Sequence, residues 1–305
     1  MKRLLLTGGQ GFVGNTFARI IARDAGLAGW HVLDTPTTFD VRDASAVFAM
    51  VEAASPDAVV HLAAQSWVPE SFRDPAATIE VNVLGTLNVL QALRGSGFRG
   101  RMLHVGTGDV YGRVPEGALP VAETRLPAPR NPYAVSKLAA EALCYQWSAT
   151  ESMDVVLARP FNHIGYGQSD RFVVSDFARQ ISAIKRGKRE PVIAVGDIDV
   201  TRDFTDVEDV VRAYFSLLDA GATGEVYNVC SGREQSIRRV LDRLAELAGV
   251  EIAVREDPMR LRKAEQRRIR GDPAKIRQAT GWEAKTPLDV SLETMLAYWE
   301  HEDQR

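Results

Sequence analysis

The sequence predicts an α/β fold in which a parallel sheet is covered by helices on both faces, and three observations predict it. Short apolar runs alternate with helical patterns at the spacing of βαβ units. The runs are continuously apolar rather than alternating, as suits strands buried on two sides. The first run, RLLLT at residues 3–7, ends in a glycine cluster that opens a helix.

Residues 12–25 read as that helix, with Phe12, Val13, Phe17 and Ile20 or Ile21 available for one face. HVLD at 31–34 is a second strand, 43–54 a helix, and AVVHLA at 58–63 a third strand. A long helix is expected over 76–95, where Ile79, Val83, Leu87 and Leu90 recur every three or four residues. MLHVGT at 102–107 is the next strand, and the polar, Pro-rich stretch 114–132 a loop. Residues 133–150 are rich in helix formers, and the strand 154–158 stops at Arg159-Pro160. Beyond Pro160 the rhythm changes. Residues 161–171 read as a binding loop, 172–186 and 207–220 as helices, and 191–195 and 226–230 as strands. Residues 234–248 form an amphipathic helix and 288–300 a final one. The expected division is a first lobe over 1–160 and a smaller, mainly C-terminal lobe over 161–305, with part of 200–230 returning to the first sheet.

A chain of 305 residues has length for one large domain or two intimate lobes. A net charge of -3 supplies no general attraction to nucleic acid or anionic membrane. Residues 255–272 carry seven Arg/Lys against four Asp/Glu, but no RNA-binding motif accompanies them. Cys144 and Cys230 stand far apart in apolar surroundings and read as buried small hydrophobes; neither they nor the scattered His61, His104 and His163 form a metal set. The start, MKRLLLTGGQGFVG, imitates a signal peptide, but its apolar run is too short. No run of about 18 apolar residues suggests a membrane span. The expectation is a soluble, cytoplasmic protein.

Gly8, Gly11 and Gly14 follow a strand and open a helix. Glycine permits a tight turn and close approach of backbone to a pyrophosphate, and the helix start at Phe12 and Val13 offers unpaired N–H groups to phosphate. No Lys-Ser/Thr pair follows, so nucleotide hydrolysis is not expected. Asp34, ending the second strand, can accept hydrogen bonds from ribose hydroxyls and repel a 2′-phosphate, which favours NAD(H) over NADP(H). Asp40 and Val41 stand as candidates to border an adenine, and Ala63 and Ala64 to pass beneath the dinucleotide. Tyr133 and Lys137 lie four apart on one helix face. An ammonium near a phenol favours the phenolate, so Lys137 is expected to lower the pKa of Tyr133 from about 10. Thr107 ends a strand, at the side of an open α/β sheet where ligands bind.

The segments TGGQGFVG, HLAAQSWVPESF, NVLGTLNVL, GTGDVYG, NPYAVSKLAAE, ARPFNHIG, GDIDVTRDFTDVEDVV, YNVCSG and RKAEQRRIRGD occur in that order. Over nearly the whole chain they resemble the extended short-chain dehydrogenase/reductase family, of the NAD-dependent epimerase/dehydratase type, and within it the enzymes acting on GDP-linked deoxyhexoses. The resemblance implies a Rossmann-type sheet in a dinucleotide-binding and catalytic lobe, a nucleotide-sugar-binding lobe, a cofactor that is NAD(H) or NADP(H), and a homodimer. It implies a triad of Thr107, Tyr133 and Lys137 and a cofactor-side Asn82. It implies substrate contacts at Thr107, Gly108, Asp109, Asn162, Phe172, Val173, Arg202, Arg262 and Glu265; Lys263 departs from the family's proline. The reaction implied is reduction of the C4 ketone of a GDP-linked 4-keto-6-deoxyhexose, giving GDP-D-rhamnose. Relatives that dehydrate GDP-mannose resemble one another in a Thr-x-Glu base, where this chain has Thr107-Gly108-Asp109, one methylene shorter; this favours simple reduction. The alternatives are GDP-mannose 4,6-dehydration, and a reductase or epimerase giving GDP-6-deoxy-talose or acting on another nucleotide sugar.

Overall fold

A computed structural model describes residues 1–33, 35, 39–260 and 266–302. Its strands are β1 Lys2–Thr7, β2 Trp30–Val32, β3 Ala58–His61, β4 Arg101–Val105, β5 Asp154–Pro160, β6 Asn162–Ile164, β7 Val192–Val195, β8 Thr201–Asp206, β9 Val226–Val229, β10 Glu234–Ser236 and β11 Ala253–Glu256. Six of them form one all-parallel sheet in the order β2-β1-β3-β4-β5-β9. From β1 the chain crosses first to β2 on one side and then to β3 on the other. The crevice between the ends of β1 and β3 is therefore a topological switch point, the usual ligand position in such sheets.

The pleat assigns alternate residues to two cores. Leu4 and Leu6 of β1, Ala58 and Val60 of β3 and Val156 and Ala158 of β5 meet helices Phe12–Ile21 and Val207–Ala220 through Phe17, Ile20, Tyr214 and Phe215. Leu5, Val59, Met102, Val155 and Leu157 face the opposite way, against helices Ala44–Ala54, Gly85–Gly95 and Pro132–Thr150. Cys144 lies in this second core, and both it and Cys230 are buried free thiols. A third core joins helices Val173–Lys185, Ile237–Ala248 and Leu288–Glu302 to the small sheets β10-β8-β6 and β11-β7. Ile276 and Trp282, far along the chain, pack into the first core, and Trp282 Nε1 donates to Asp209 O at 2.9 Å.

Several elements differ from the sequence pattern. The first helix ends at Ile21, and Asp24 then caps a separate 3-10 turn at Ala25–Leu27. The stretch expected as one helix over 76–95 runs Pro75–Ile79, then a π-turn Glu80–Leu84, then Gly85–Gly95. The π-turn carries the buried Asn82, whose side chain is held from outside the helix as described below. Helix 234–248 yields its first three residues to β10, and Ser236 caps the remainder by accepting from Arg239 N at 3.1 Å. β8 had no apolar signature because Asp203, Thr205 and Asp206 are themselves buried. By length and composition one described helical stretch, Pro75–Gly95, could cross a membrane; 44% of that window is buried inside the protein, as for a core helix.

Candidate active site

The glycine loop sits at the switch point. Gly8 has φ +73, and a Cβ there would lie 2.8 Å from Ala63 N; a Cβ on Gly14 would lie 2.3 Å from Gly9 O. No side chain fits either place. Gly11 precedes the helix with no side-chain cap, so the first N–H groups, at Phe12 and Val13, keep their capacity for an external acceptor. Closeness of β1 to the 63–65 turn is enforced by hydrogen bonds: Leu62 N donates to Thr7 O, and Ala63 N donates to Thr7 Oγ1 at 3.3 Å. A dinucleotide pyrophosphate fits this cradle of small residues and unspent N–H groups.

Beneath the cradle runs a polar chain whose direction is fixed. Thr86 Oγ1 donates to Asn82 O, so it accepts from His61 Nε2, which carries the ring proton; Nδ1 then accepts from Thr7 Oγ1. Burial pushes the His61 pKa down to about 3, in keeping with this neutral ring. His104, also buried, has no hydrogen-bond partner among the described residues and is likewise held neutral by burial. Both rings are core positions, as expected from their strands.

The helix Pro132–Thr150 begins with Asn131 accepting from Ala134 N at 2.7 Å and proline in its first turn, a strong local start signal. That start brings Tyr133 to the end of β4. The Thr107 hydroxyl comes near enough to its phenol to oppose a rise in its pKa, and Thr107 Oγ1 accepts from Asp109 N at 3.2 Å. Asp109, exposed on the 3-10 turn Gly108–Tyr111, places its charge close enough to act on the phenol. Gly108 abuts the Phe161 ring, 3.1 Å from a Cβ built on it. Lys137 is buried one turn on from Tyr133.

Here the electrostatics overturn an expectation. The pKa of Tyr133 is raised, first by burial and then by the Asp109 carboxylate, with the Thr107 bond opposing; Lys137 does not enter. Lys137 is itself lowered to about 8 by burial, against the raising influence of Cys144 and Glu141. Desolvation of the phenolate and the Asp109 charge set the Tyr133 pKa, and the Thr107 hydroxyl opposes them only in part.

Asn82 ties the two halves of the site together. Its Oδ1 accepts from Gln65 N at 2.8 Å, and its Nδ2 donates to Gln65 O at 3.0 Å and Ser136 Oγ at 2.8 Å. The 63–65 turn is thereby locked to the helix of Tyr133. Asp40 is engaged by Arg42, which holds its carboxyl below the usual range, and Val41 is buried against Gly85 with its carbonyl accepting from Asn88. Asp34, Arg262 and Glu265 lie outside the described residues. Of the remaining expected contacts, Asn162, Phe172 and Val173 are exposed, and Arg202 is half-buried with Nη1 donating to Gln266 O at 2.9 Å. His163 stacks on Phe12, centroids 6.0 Å apart, with Nδ1 bonded to Phe161 O.

One pair escaped the sequence reading. Glu141 and Arg159 form a buried bidentate ion pair, 2.6 and 2.9 Å, and the guanidinium carbon lies 4.8 Å from the centroid of the Tyr111 ring. Tyr111 OH donates to Asn228 Oδ1 at 2.7 Å. The signal was present: Tyr133, Lys137 and Glu141 recur every four residues on one helix face.

A dinucleotide cradle at the switch point, with a phenol, a hydroxyl and a lysine at its edge, defines an NAD(P)-dependent oxidoreductase of the short-chain dehydrogenase/reductase type, and comparison with known proteins narrows it to nucleotide sugars. The family described as GDP-mannose 4,6 dehydratase matches residues 5–295, and the chain belongs to that family. It is 50% identical over 299 residues to GDP-6-deoxy-D-mannose reductase of Pseudomonas aeruginosa, covering 98% of this chain and 97% of that one. The structure of RMD from Pseudomonas aeruginosa complexed with NADPH superposes with a TM-score of 0.94 at 49% identity, covering 99% of this chain and 100% of that one. UDP-glucose 4-epimerase of Thermus thermophilus, in complex with NAD, gives 0.85 at 30% identity, covering 97% and 98%.

Replacing Glu141 with Gln leaves the Arg159 charge buried without its counter-ion. Breaking a buried pair in this way typically costs about 3–5 kcal/mol, and denaturant unfolding should show a loss of that order.

Proposed function

We propose that the protein reduces the C4 ketone of GDP-4-dehydro-6-deoxy-D-mannose to GDP-D-rhamnose, using NADPH or NADH. The observation that carries this reading is identity at half the positions over 98% of the chain to a reductase of that sugar class, in a site where Thr107 and Asp109 both act on the Tyr133 phenol. When bound, the reduced nicotinamide supplies the hydride. The chain's own residues supply the rest. Tyr133 holds a proton for the developing alkoxide; a phenol whose pKa is raised is neutral at physiological pH, the form a proton donor requires. Thr107 orients the substrate oxygen beside that phenol. Lys137 would hold the cofactor ribose; the glycine loop with Phe12 and Val13 would hold the pyrophosphate, and Ala63 and Ala64 the face beneath. Asn82 acts by position, since its side chain braces Gln65 against Ser136. Asn162, Phe172, Val173, Arg202, Arg262 and Glu265 are assigned to the nucleotide sugar, arginine because its rigid fork suits diphosphate oxygens.

Asp34 favours NADH, because a carboxylate repels a 2′-phosphate; the related Pseudomonas structure carries NADPH. One further reading has its own support. Asp109 acts electrostatically on Tyr133 from the position where dehydrating relatives are expected to carry their base, which suits 4,6-dehydration of GDP-mannose. We assign the protein to the cytoplasm, residues 1–160 with the returning part of 200–230 to the cofactor lobe, and most of 161–305 to the sugar lobe. We also assign it a homodimer. Phe72, Ile79, Leu84, Val135 and Tyr145 are all exposed on the packed helical segments between 68 and 150, an apolar face that a second copy would cover.

Three measurements test these assignments. With the dehydration product of GDP-mannose, NADPH or NADH should be consumed and a GDP-deoxyhexose formed; Tyr133→Phe should lower kcat by about 10²–10⁴ with dinucleotide affinity retained. Loss of water from GDP-mannose itself, without net cofactor oxidation, would favour the dehydratase instead. In a pH profile, Lys137 is charged below about 8 and neutral above, while Tyr133 stays protonated further up. The kcat/KM for reduction should accordingly fall above about pH 8 with unit slope; a profile flat to about pH 10 would remove Lys137 from the rate. Sedimentation should give the mass of two chains, and Leu84→Glu with Tyr145→Glu that of one; a wild type of one-chain mass would refute the dimer.

A further inference from the structure

Asp203 is a carboxylate with no exposed surface, and four donors from two segments converge on it. Ser231 N donates to Oδ1 at 2.9 Å and Ser231 Oγ at 2.6 Å, while Gly232 N at 3.0 Å and Gly271 N at 3.1 Å donate to Oδ2. Among the described residues no cation pairs with it. Burial lifts its pKa to about 6, against the pull of the bonds from Ser231, Gly271 and Gly232, so the group is ionised at neutral pH with hydrogen bonds alone to stabilise the charge. Only an acceptor with two oxygens answers three N–H groups and a hydroxyl at once.

These bonds govern one particular piece of chain. Residues 266–271 lie across β8 as a strap, fastened at both ends by successive β8 residues, whose side chains point to opposite faces. At one end Arg202 Nη1 donates to Gln266 O at 2.9 Å, and the Gln266 amide grips Val114, accepting from its N at 3.1 Å and donating to its O at 2.7 Å. In the middle Thr201 N donates to Arg267 O at 2.8 Å. At the other end stands Asp203, and beside it Val121 N donates to Arg270 O while Val121 O accepts from Asp272 N. The fit at that end is close: a Cβ on Gly271 would lie 2.6 Å from Cys230 Sγ.

We propose that Asp203 is a positioning residue for nucleotide-sugar recognition, setting the strap 266–271 against β8 and the 231–232 turn and so fixing the orientation of the Arg202 guanidinium. This rests on the assignment of Arg202 to the sugar nucleotide's diphosphate. If the strap slides, the carbonyl that holds Arg202 Nη1 slides with it. The dinucleotide cradle, which the strap's fastenings do not include, is untouched.

The test compares wild type, Asp203→Asn and Gln266→Ala in the full-length protein. An asparagine keeps the shape but either turns an amide N–H toward Gly232 N and Gly271 N or leaves Ser231 N without its acceptor. Gln266→Ala loosens the opposite end. GDP binding by calorimetry, dinucleotide binding, and kcat and KM for the keto sugar are the readouts. Asp203→Asn should raise the GDP Kd and the sugar KM about tenfold or more, with kcat within about threefold and dinucleotide affinity within about twofold of wild type. Gln266→Ala should move the same two constants, less far. Unchanged GDP affinity in either variant overturns the proposal, as does an equal loss of dinucleotide affinity and kcat. Should Asp203→Asn fail to fold, Gln266→Ala decides alone. A wild type that binds GDP but does not reduce the ketone would refute the reaction and leave the strap's role measurable through GDP.

Discussion

The ion pair between Glu141 and Arg159 is the constraint on which the site's geometry hangs. Glu141 lies on the helix that carries Tyr133 and Lys137, and Arg159 near the end of β5. Two short bonds join them where water does not reach, so the helix cannot slide or rotate against the sheet without separating buried charges. The guanidinium also covers the ring of Tyr111, which closes the 3-10 turn that starts at Thr107 and is anchored through Asn228 to β9. Helix, turn and sheet are thus registered to one another by a single charged contact and its neighbours.

A second polar network does the same on the cofactor side. The chain from Ala63 through Thr7, His61 and Thr86 to Asn82 crosses beneath the glycine loop, and the Asn82 side chain passes the constraint on to Gln65 and Ser136. The π-turn at Glu80–Leu84 carries Asn82 into this network, a deviation from the regular helix that its hydrogen bonds stabilise. Between the two networks sits a phenol kept neutral by burial and by Asp109, with a lysine whose pKa burial has lowered to about 8. That electrostatic setting suits giving up a proton late, to an alkoxide, more than it suits holding a standing phenolate.

The parts of this arrangement legible in the chain were those set by local rules. Glycines 8, 11 and 14 between an apolar run and a helix, Asn131-Pro132 before Tyr133, and the four-residue step to Lys137 each announce their geometry within a few residues. The return of residues 226–229 to the main sheet was also expected, and they pair with β5. β8 and the strap were not, because their stability comes from polar groups whose partners lie far off: Asp203 meets Gly271 across 68 residues and Gln266 meets Val114 across 152.

By itself the sequence determined the doubly covered parallel sheet, the glycine cradle and the helical step from Tyr133 to Lys137, since apolar continuity, backbone freedom and helical spacing act over short distances; Thr107 joined them only through the family resemblance. Only the tertiary structure decided that the pKa of Tyr133 rises instead of falling, that Glu141 finds Arg159, and that Asp203 fastens a strap. Desolvation and ion pairing depend on what surrounds a group in three dimensions, and a linear chain does not specify that until it has folded.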